Sequence, residues 1–203
     1  MFLLYSLKMP SPERVAIFID GSNFYHGLRA MFQRTTVDFE KFSEKLCSGR
    51  KHVRTYYYIV PLNQKENHQA YSQQQKFFAY LDKVPYLERR LGRLVRRQQQ
   101  LQCPHCNKTF DRDFHLEKGV DVKIAMDMLD MAVKKIYDVA VLVSGDGDFS
   151  NAIRAVKELG LSVENAYFSR DPSGRTGHSW ELMQVCDKFI NLSADFMKDC
   201  WWR

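Results

Sequence analysis

The chain has 203 residues and lacks the long apolar run that exports or anchors a protein. Before Val15 the only apolar stretch is Phe2-Leu3-Leu4-Tyr5. This is far shorter than a secretory signal core of roughly 7 to 15 apolar residues or a spanning helix of roughly 20. We therefore expect no membrane partner. Because structure-like sequence begins only after Pro10 and Pro12, we expect residues 1–12 to be a flexible lead-in.

The sequence also lacks an even set of cysteines for a disulfide framework. It has 5 cysteines, and only Cys103 and Cys106 are close together in the chain. This usage favours a reducing compartment, so we expect a cytoplasmic protein. There is no internal repeat, and the only low-complexity tract is Gln98-Gln99-Gln100. The length and the 45% apolar content predict one domain over residues 13–203.

Positive charge is in excess, with 30 Lys and Arg against 24 Asp and Glu and a net charge of +6. This balance favours an anionic partner, although an ordinary basic surface explains it equally well. Neutralising phosphates supplies most sequence-independent affinity for nucleic acid. We therefore predict a nucleic-acid-binding strip, with a solvated hairpin face as the alternative. Its members are Arg89, Arg90, Arg93, Arg96 and Arg97, followed by Lys108 and Arg112. Lys118 is a separate candidate for phosphate binding, with a solvated side chain as the alternative.

Strand-like and helix-like segments alternate along the chain. Strands are predicted over residues 15–19, 56–60, 139–143 and 162–168, with a last one near Phe189-Ile190. Helical spacing predicts helices over residues 23–32, 38–47, 65–81, 117–135 and 149–159. The βαβα order predicts an α/β fold, a three-layer α/β/α arrangement with a central parallel sheet. The basic segment 84–116, with Gly92 between two strand-like pieces, predicts a small hairpin and knuckle insertion.

Two of the predicted strands are followed by acidic residues. Asp20 ends the first strand, and Asp146 follows the strand over residues 139–143, with Asp148 two residues later. Ligands of open parallel sheets bind beyond the carboxyl ends of the strands. A helix cap before Phe149 would explain Asp148 alone, but it does not explain Asp20 and Asp146.

Asp121 is a fourth candidate, on the helix predicted over residues 117–135. At about 100° per residue it shares a predicted buried arc with Ala125, Met128, Leu129 and Ala132. A solvated, charge-paired arc holds Lys123, Asp127, Asp130 and Lys134. A carboxylate on a buried arc is costly unless it is paired or bound to metal. The alternative is that Asp121 stabilises the dipole of the first helical turn.

These four carboxylates, Asp20, Asp121, Asp146 and Asp148, are predicted to surround one cleft. Like charges that lie close together raise each other's pKa and destabilise the site unless a cation neutralises them. Oxygen ligands suit Mg²⁺ or Mn²⁺. The sequence therefore predicts a magnesium or manganese site at the edge of the sheet.

Three segments resemble the NYN domain family, the LabA-like branch of the PIN-like nuclease superfamily. They are Phe18-Ile19-Asp20-Gly21-Ser22-Asn23-Phe24, Lys118-Gly119-Val120-Asp121-Val122 and Ser144-Gly145-Asp146-Gly147-Asp148-Phe149. The resemblance covers residues 15–192. It implies a PIN-like fold and a metal-dependent endoribonuclease centred on the four Asp, with Asn23 and Ser144 as close supports. It also implies RNA as the substrate, with 5′-phosphate and 3′-hydroxyl products.

Some of these roles have alternatives from the residues alone. Asn23 equally well caps the start of a helix, and DNA remains open as a substrate. The main alternative function is an RNA-binding module with little or no catalytic activity, because metal ligands alone do not prove turnover. An adhesion-type metal site would need serine where Phe24 stands, and an aspartate-nucleophile phosphatase would need Asp where Ser22 stands.

Cys103-Pro104-His105-Cys106 has the spacing of half a zinc site. With His115 as a third ligand, it predicts one structural Zn²⁺, for which His105, Asp111 or Asp113 would be the fourth ligand. Some LabA-like relatives resemble this arrangement. The alternatives are a metal-free reduced knuckle and a redox pair of the thioredoxin type. The Trp201-Trp202 tail is compatible with a homodimer interface but could equally cover the chain's own core.

Overall fold

The structure is a computed structural model that describes residues 12–102, 104–169, 177 and 179–202. The side chains at 96, 97, 99, 110 and 112–117 lie outside this description. The strands are β1 (Arg14–Asp20), β2 (Lys51–Ile59), β3 (Leu87–Leu91), β4 (Arg93–Gln102), β5 (Thr109–Lys118), β6 (Val139–Val143), β7 (Ser162–Tyr167) and β8 (Lys188–Asn191). The helices are α1 (Gly21–Phe32), α2 (Phe39–Cys47), α3 (His68–Leu81), α4 (Val120–Val133), α5 (Ser150–Glu158), α6 (Trp180–Val185) and α7 (Ala194–Met197). The predicted lead-in covers residues 1–12, of which residues 1–11 lie outside the described ranges.

Six strands form one parallel sheet in the order β3-β2-β1-β6-β7-β8. Side chains alternate between the two faces along β1, so Ile17 packs with α1 and α2 on one face and Phe18 packs with α4 on the other. The predicted three-layer α/β/α fold is therefore confirmed. None of the helices in the described ranges combines the length and apolar character needed to cross a bilayer.

The segment over residues 84–116 divides at Gly92. Leu87–Leu91 pairs in parallel with β2 as an edge strand of the main sheet, and the antiparallel β4–β5 hairpin begins at Arg93. The hairpin therefore starts later in the chain than the sequence predicts. Glycine suits the dividing position because a Cβ atom there would lie 2.6 Å from Val120 and 2.9 Å from Val60.

Helix α4 buries a different line of side chains from the one predicted. Its buried residues are Val120, Ile124, Met128, Met131 and Ala132, a stripe that lies between the two predicted arcs at about 100° per residue. Asp121 is exposed instead of buried. Asp127 is not a solvated residue either, because it accepts a hydrogen bond from the Tyr58 hydroxyl at 2.9 Å and pairs with Arg90 at 2.5 Å.

The two tryptophans near the C-terminus pack against their own chain. Trp201 forms an isolated bridge with Val37, and its ring meets Phe32 edge-on with centroids 5.4 Å apart. The Trp202 indole donates to the Tyr80 hydroxyl at 2.9 Å. Of the two sequence-based alternatives for this tail, the structure therefore supports the cover over its own core.

Candidate active site

An open cavity of about 850 Å³ lies at the carboxyl ends of β1 and β6 and the first turn of α4. We call it the acidic cleft, because Asp20, Asp121 and Asp146 line it. These residues come from three elements that are distant in sequence, and the parallel topology brings them to one edge of the sheet. Asp148 is exposed and does not line the cavity.

Asp20 is the most enclosed of these acids, with 6% of its surface exposed. One carboxylate oxygen caps α1 by accepting from the Asn23 backbone N–H at 3.1 Å, and the other accepts from the Ser144 hydroxyl at 3.2 Å. The pKa of Asp20 is raised from 3.8 to about 6, chiefly by burial and also by the charges of Asp121 and Asp146, against the lowering effect of these hydrogen bonds. The fold thus holds a carboxylate where its charge is poorly stabilised by the protein alone.

Asp146 organises the turn that follows β6. Its carboxylate caps the short 3₁₀ turn Gly147–Phe149 and accepts from the Asp148 backbone N–H at 3.0 Å. Its own N–H donates to the Ser144 hydroxyl at 3.2 Å. The capping role that the sequence suggests for Asp148 therefore belongs to Asp146. The reason is that a 3₁₀ turn precedes α5 and begins at Gly147, two residues before the predicted start of the helix at Phe149.

Asp121 lies in the first turn of α4, at the rim of the cleft. Partial burial raises its pKa, and the charges of Asp146 and Asp148 raise it further. Asp20 is likewise influenced by Asp121 and Asp146. All four predicted carboxylates are therefore linked electrostatically, with Asp148 acting on the cleft from outside its lining.

Asn23 and Ser144 hold the two halves of the cleft together. The Asn23 side-chain oxygen accepts from the Gly145 N–H at 3.1 Å and so joins α1 to the turn after β6. The cap at the start of α1 is Asp20, so the alternative capping role of Asn23 is wrong. The buried Ser144 hydroxyl bridges Asp20 and the Asp146 backbone.

Asn165 on β7 supports the same turn and is missed by the sequence reasoning. It is fully buried, and its amide donates to the carbonyls of Leu142 at 3.1 Å and Ser144 at 2.8 Å. β7 reads Ser-Val-Glu-Asn-Ala-Tyr, so the polar Asn165 follows another polar residue and nothing in the local pattern singles it out.

Further residues of α1 line the cleft and are absent from the predicted site, among them His26 and Arg29. Both are exposed. With Ser22 they recur at helical spacing, so one face of α1 forms a wall of the cavity. That spacing is visible in the sequence, but it does not indicate which face of α1 lines a site. The position of α1 beside Asp20 in the structure does.

The cleft offers carboxylate oxygens of the kind that hard divalent cations prefer. Asp20 and Asp146 use these oxygens for internal hydrogen bonds. Within the described ranges, no three Asp, Glu, His or Cys side chains are grouped closely enough to hold a metal ion. The donor chemistry therefore fits such a cation, whereas a preformed ligand cluster is not present among these residues.

Arg89 and Arg90 of the predicted basic strip lie on β3, at the edge of the main sheet. Arg89 forms two hydrogen bonds with Asp82, at 3.1 and 3.0 Å, and lies over the Phe78 ring. Arg90 pairs with Asp127 and Glu88 and lies over the Tyr56 ring. Both guanidinium groups are therefore already paired with carboxylates of the protein, and this leaves them poorly placed to bind phosphate.

Other predicted residues fall on or near the hairpin. Arg93 and Lys118 are exposed and lie opposite each other at the base of the hairpin. Lys118 is followed by Gly119 and then by α4. The side chains of Arg96, Arg97 and His115 lie outside the described part of the structure, as does Cys103. Cys106 is exposed, and its thiol is not in a disulfide.

The geometry of Asp20, Asp121 and Asp146 around one cleft agrees with a match to a known family. The model of the NYN domain matches residues 14–193. The chain belongs to the NYN domain family. NYN domains are nuclease-like domains of the PIN fold and are generally nucleases, which usually use divalent metals.

Comparison with solved structures supports the fold of this NYN domain. A protein of unknown function from Vibrio parahaemolyticus has a similar structure, with a TM-score of 0.64 and 22% sequence identity. The similarity covers 94% of this chain and 99% of the other. At this identity it bears on the fold alone. The comparison with curated proteins gave no match.

Proposed function

We propose that this NYN domain is a metal-dependent endoribonuclease. The observation that carries the proposal is the convergence of Asp20, Asp121 and Asp146 on one open cleft. Burial and mutual repulsion raise the pKa of Asp20 and of Asp121, and a divalent cation would relieve both effects.

Asp20, Asp121 and Asp146 would hold Mg²⁺ or Mn²⁺, with Asp148 adding negative charge from outside. A bound cation would supply an activated water and neutralise charge on the phosphodiester. Ser144 and the Asn23 backbone N–H fix both oxygens of Asp20. The Asn23 side chain fixes the turn that carries Asp146. These residues therefore act by positioning the carboxylates.

The RNA strand would approach along the cleft wall. Arg29 lines the cleft, and Lys118 is exposed at the end of β5, two residues before α4 begins at Val120. Arg93 is exposed opposite Lys118 in the hairpin. Cationic side chains on the approach to an acidic centre would attract the phosphate backbone toward the site. The RNA substrate and the LabA-like branch rest on the family resemblance, and the cytoplasmic location and a homodimer rest on the sequence alone. A structural Zn²⁺ on Cys103, Cys106 and His115 is proposed on the same basis.

One observation favours the alternative of an RNA-binding module with little or no activity. The carboxylates of Asp20 and Asp146 are engaged in internal hydrogen bonds, and the described residues present no preformed metal cluster. Catalysis therefore requires the cation to draw these groups together. If the hydrogen bonds prevail, the cleft binds the strand without cutting it.

The test is cleavage of labelled single-stranded RNA by the purified protein with Mg²⁺ or Mn²⁺. We expect internal cuts that leave 5′-phosphate ends, loss of cleavage in EDTA and recovery when excess metal is added. Single-stranded DNA of the same sequence tests the choice of RNA. Cleavage that persists in EDTA would contradict the mechanism, and binding without cleavage in either metal would establish the alternative.

A further inference from the structure

We propose that a groove beside the acidic cleft is a stacking pocket for a nucleobase of the bound strand, an inference that rests on the proposed function. We call it the aromatic groove. Its volume is about 830 Å³, within the range of roughly 300–1,000 Å³ for small-ligand pockets. It shares Ser22 and His26 with the acidic cleft. A strand whose phosphate lies in the cleft can therefore place a neighbouring base in the groove.

The composition of the groove suits a base better than a phosphate. Among the described residues that line it, none is Asp, Glu, Lys or Arg. Its walls include the rings of Phe39, Tyr57 and Phe77, and the Gln74 amide is already bound to the Leu62 N–H and the Val60 carbonyl. A neutral, aromatic pocket next to an acidic cleft matches the alternation of base and phosphate along a single strand.

Two aromatic rings on the groove are open to solvent. Tyr25 is 43% exposed and Trp202 is 50% exposed. Trp202 is held in place, because its indole donates to the Tyr80 hydroxyl at 2.9 Å and its ring meets Tyr80 edge-on at 5.0 Å. A fixed, exposed ring can stack on a base without losing much conformational entropy.

Helix α1 connects the two sites. Ser22, Tyr25, His26 and Arg29 follow one another at helical spacing, so they lie along one face of the helix. Arg29 lines the cleft and Tyr25 lines the groove, and the guanidinium carbon of Arg29 is 5.9 Å from the centre of the Tyr25 ring. This face therefore offers a cation to a phosphate and a ring to the next base.

Two polar side chains that line the groove are engaged within the protein, because Gln74 is bound to backbone groups and the Thr36 hydroxyl accepts from Arg34. Ser22, His26, Thr35 and Gln73 are further polar residues of the lining. Stacking depends little on base identity because every base has an aromatic face. We therefore expect the groove to distinguish a strand with bases from one without, and to prefer no particular sequence.

The test is the affinity of the Asp146→Asn protein for two short single-stranded RNAs of equal length, in Mg²⁺. One is oligouridine, and the other has the same backbone with abasic ribose at every position. We expect oligouridine to bind about 5- to 100-fold more tightly, which is the effect of stacking one base. Adding Tyr25→Ala should remove this preference, whereas Tyr25→Phe should keep it.

Two controls separate stacking from other effects. Tyr86→Ala removes a ring that is 65% exposed just before β3, at the opposite end of the sheet, and should change neither affinity. The salt dependence of binding should be the same with and without Tyr25, because phosphate contacts set it. A base preference that survives Tyr25→Ala would overturn the stacking pocket and leave the nuclease proposal intact. Failure to bind either strand would overturn both.

Discussion

Replacing Asp20 by Asn is expected to abolish RNA cleavage and, in the absence of metal, to make the protein more stable. The pKa of Asp20 is raised to about 6, chiefly by burial. An acid whose pKa is higher in the folded than in the unfolded chain favours folding when protonated, so stability falls as pH rises from about 4 to 6. At neutral pH the ionised Asp20 lowers the free energy of unfolding by about 3 kcal/mol, and the neutral Asn should recover most of this loss.

Cleavage by Asp20→Asn should fall more than about 100-fold, because even indirect partners of a metal ligand contribute ~10–100-fold. The measurements are RNA cleavage and urea unfolding in EDTA between pH 4 and pH 8. Asp138→Asn is the matched control, at the opposite end of β6, where Arg14 lowers the pKa of Asp138. It should leave cleavage unchanged and should not raise stability. An Asp20→Asn protein that is less stable than wild type at neutral pH would contradict the electrostatic account.

Gly21→Ala should disable the site through packing. A Cβ atom on Gly21 would lie 2.4 Å from the Tyr58 carbonyl oxygen and 2.7 Å from the Tyr57 ring. The neighbouring strand cannot yield easily, because β2 is paired on both sides within the sheet. We expect a loss of about 1–3 kcal/mol in the free energy of unfolding. The displacement of the adjacent Asp20 should also reduce cleavage by about 100-fold.

The control for this effect is Gly160→Ala. Gly160 has a φ of +80°, a Cβ atom there would meet no other group within 4 Å, and the residue lies beyond α5, away from the cleft. Alanine in this left-handed conformation should cost about 1–2 kcal/mol with full retention of cleavage. Equal activity losses in Gly21→Ala and Gly160→Ala would show that reduced stability, and not displacement of Asp20, is responsible.

The sequence predicts most of the sheet because its central strands are buried on both faces. β1 and β6 are continuous apolar runs, and each is followed or ended by an acid that the parallel topology brings to the same edge. Helix caps are local signals that the sequence places less exactly. The caps suggested for Asn23 and Asp148 are supplied by Asp20 and Asp146 instead.

The edge of the sheet is less predictable. β3 carries Glu88, Arg89 and Arg90, a charged run that resembles a solvated hairpin in the sequence. Its place in the main sheet depends on distant partners, since Arg90 reaches Asp127 on α4. The same pair removes Asp127 from the solvated arc predicted for α4. Contacts between residues far apart in sequence decide both cases.

Three of the four predicted carboxylates and the predicted supports Asn23 and Ser144 meet at the cleft, whereas its other supports were not predicted. Asp20, Asp121 and Asp146 meet in the acidic cleft, although Asp121 does so from an exposed position instead of a buried stripe. Asn165 and the α1 residues His26 and Arg29 acquire a role only when β7 and α1 are placed beside the cleft. Single polar residues carry little signal until their surroundings are known.

Titration of the protein with Mn²⁺, followed by calorimetry, tests most directly whether these acids hold one ion. The variants Asp121→Asn and Asp146→Asn change two cleft residues, and Asp130→Asn changes an exposed carboxylate on α4 that pairs with Lys134. We predict a saturable site in wild type and in Asp130→Asn that each cleft variant weakens by about 10-fold or more. Unchanged Mn²⁺ affinity in Asp121→Asn would contradict the claim that α4 and the turn after β6 share one cation.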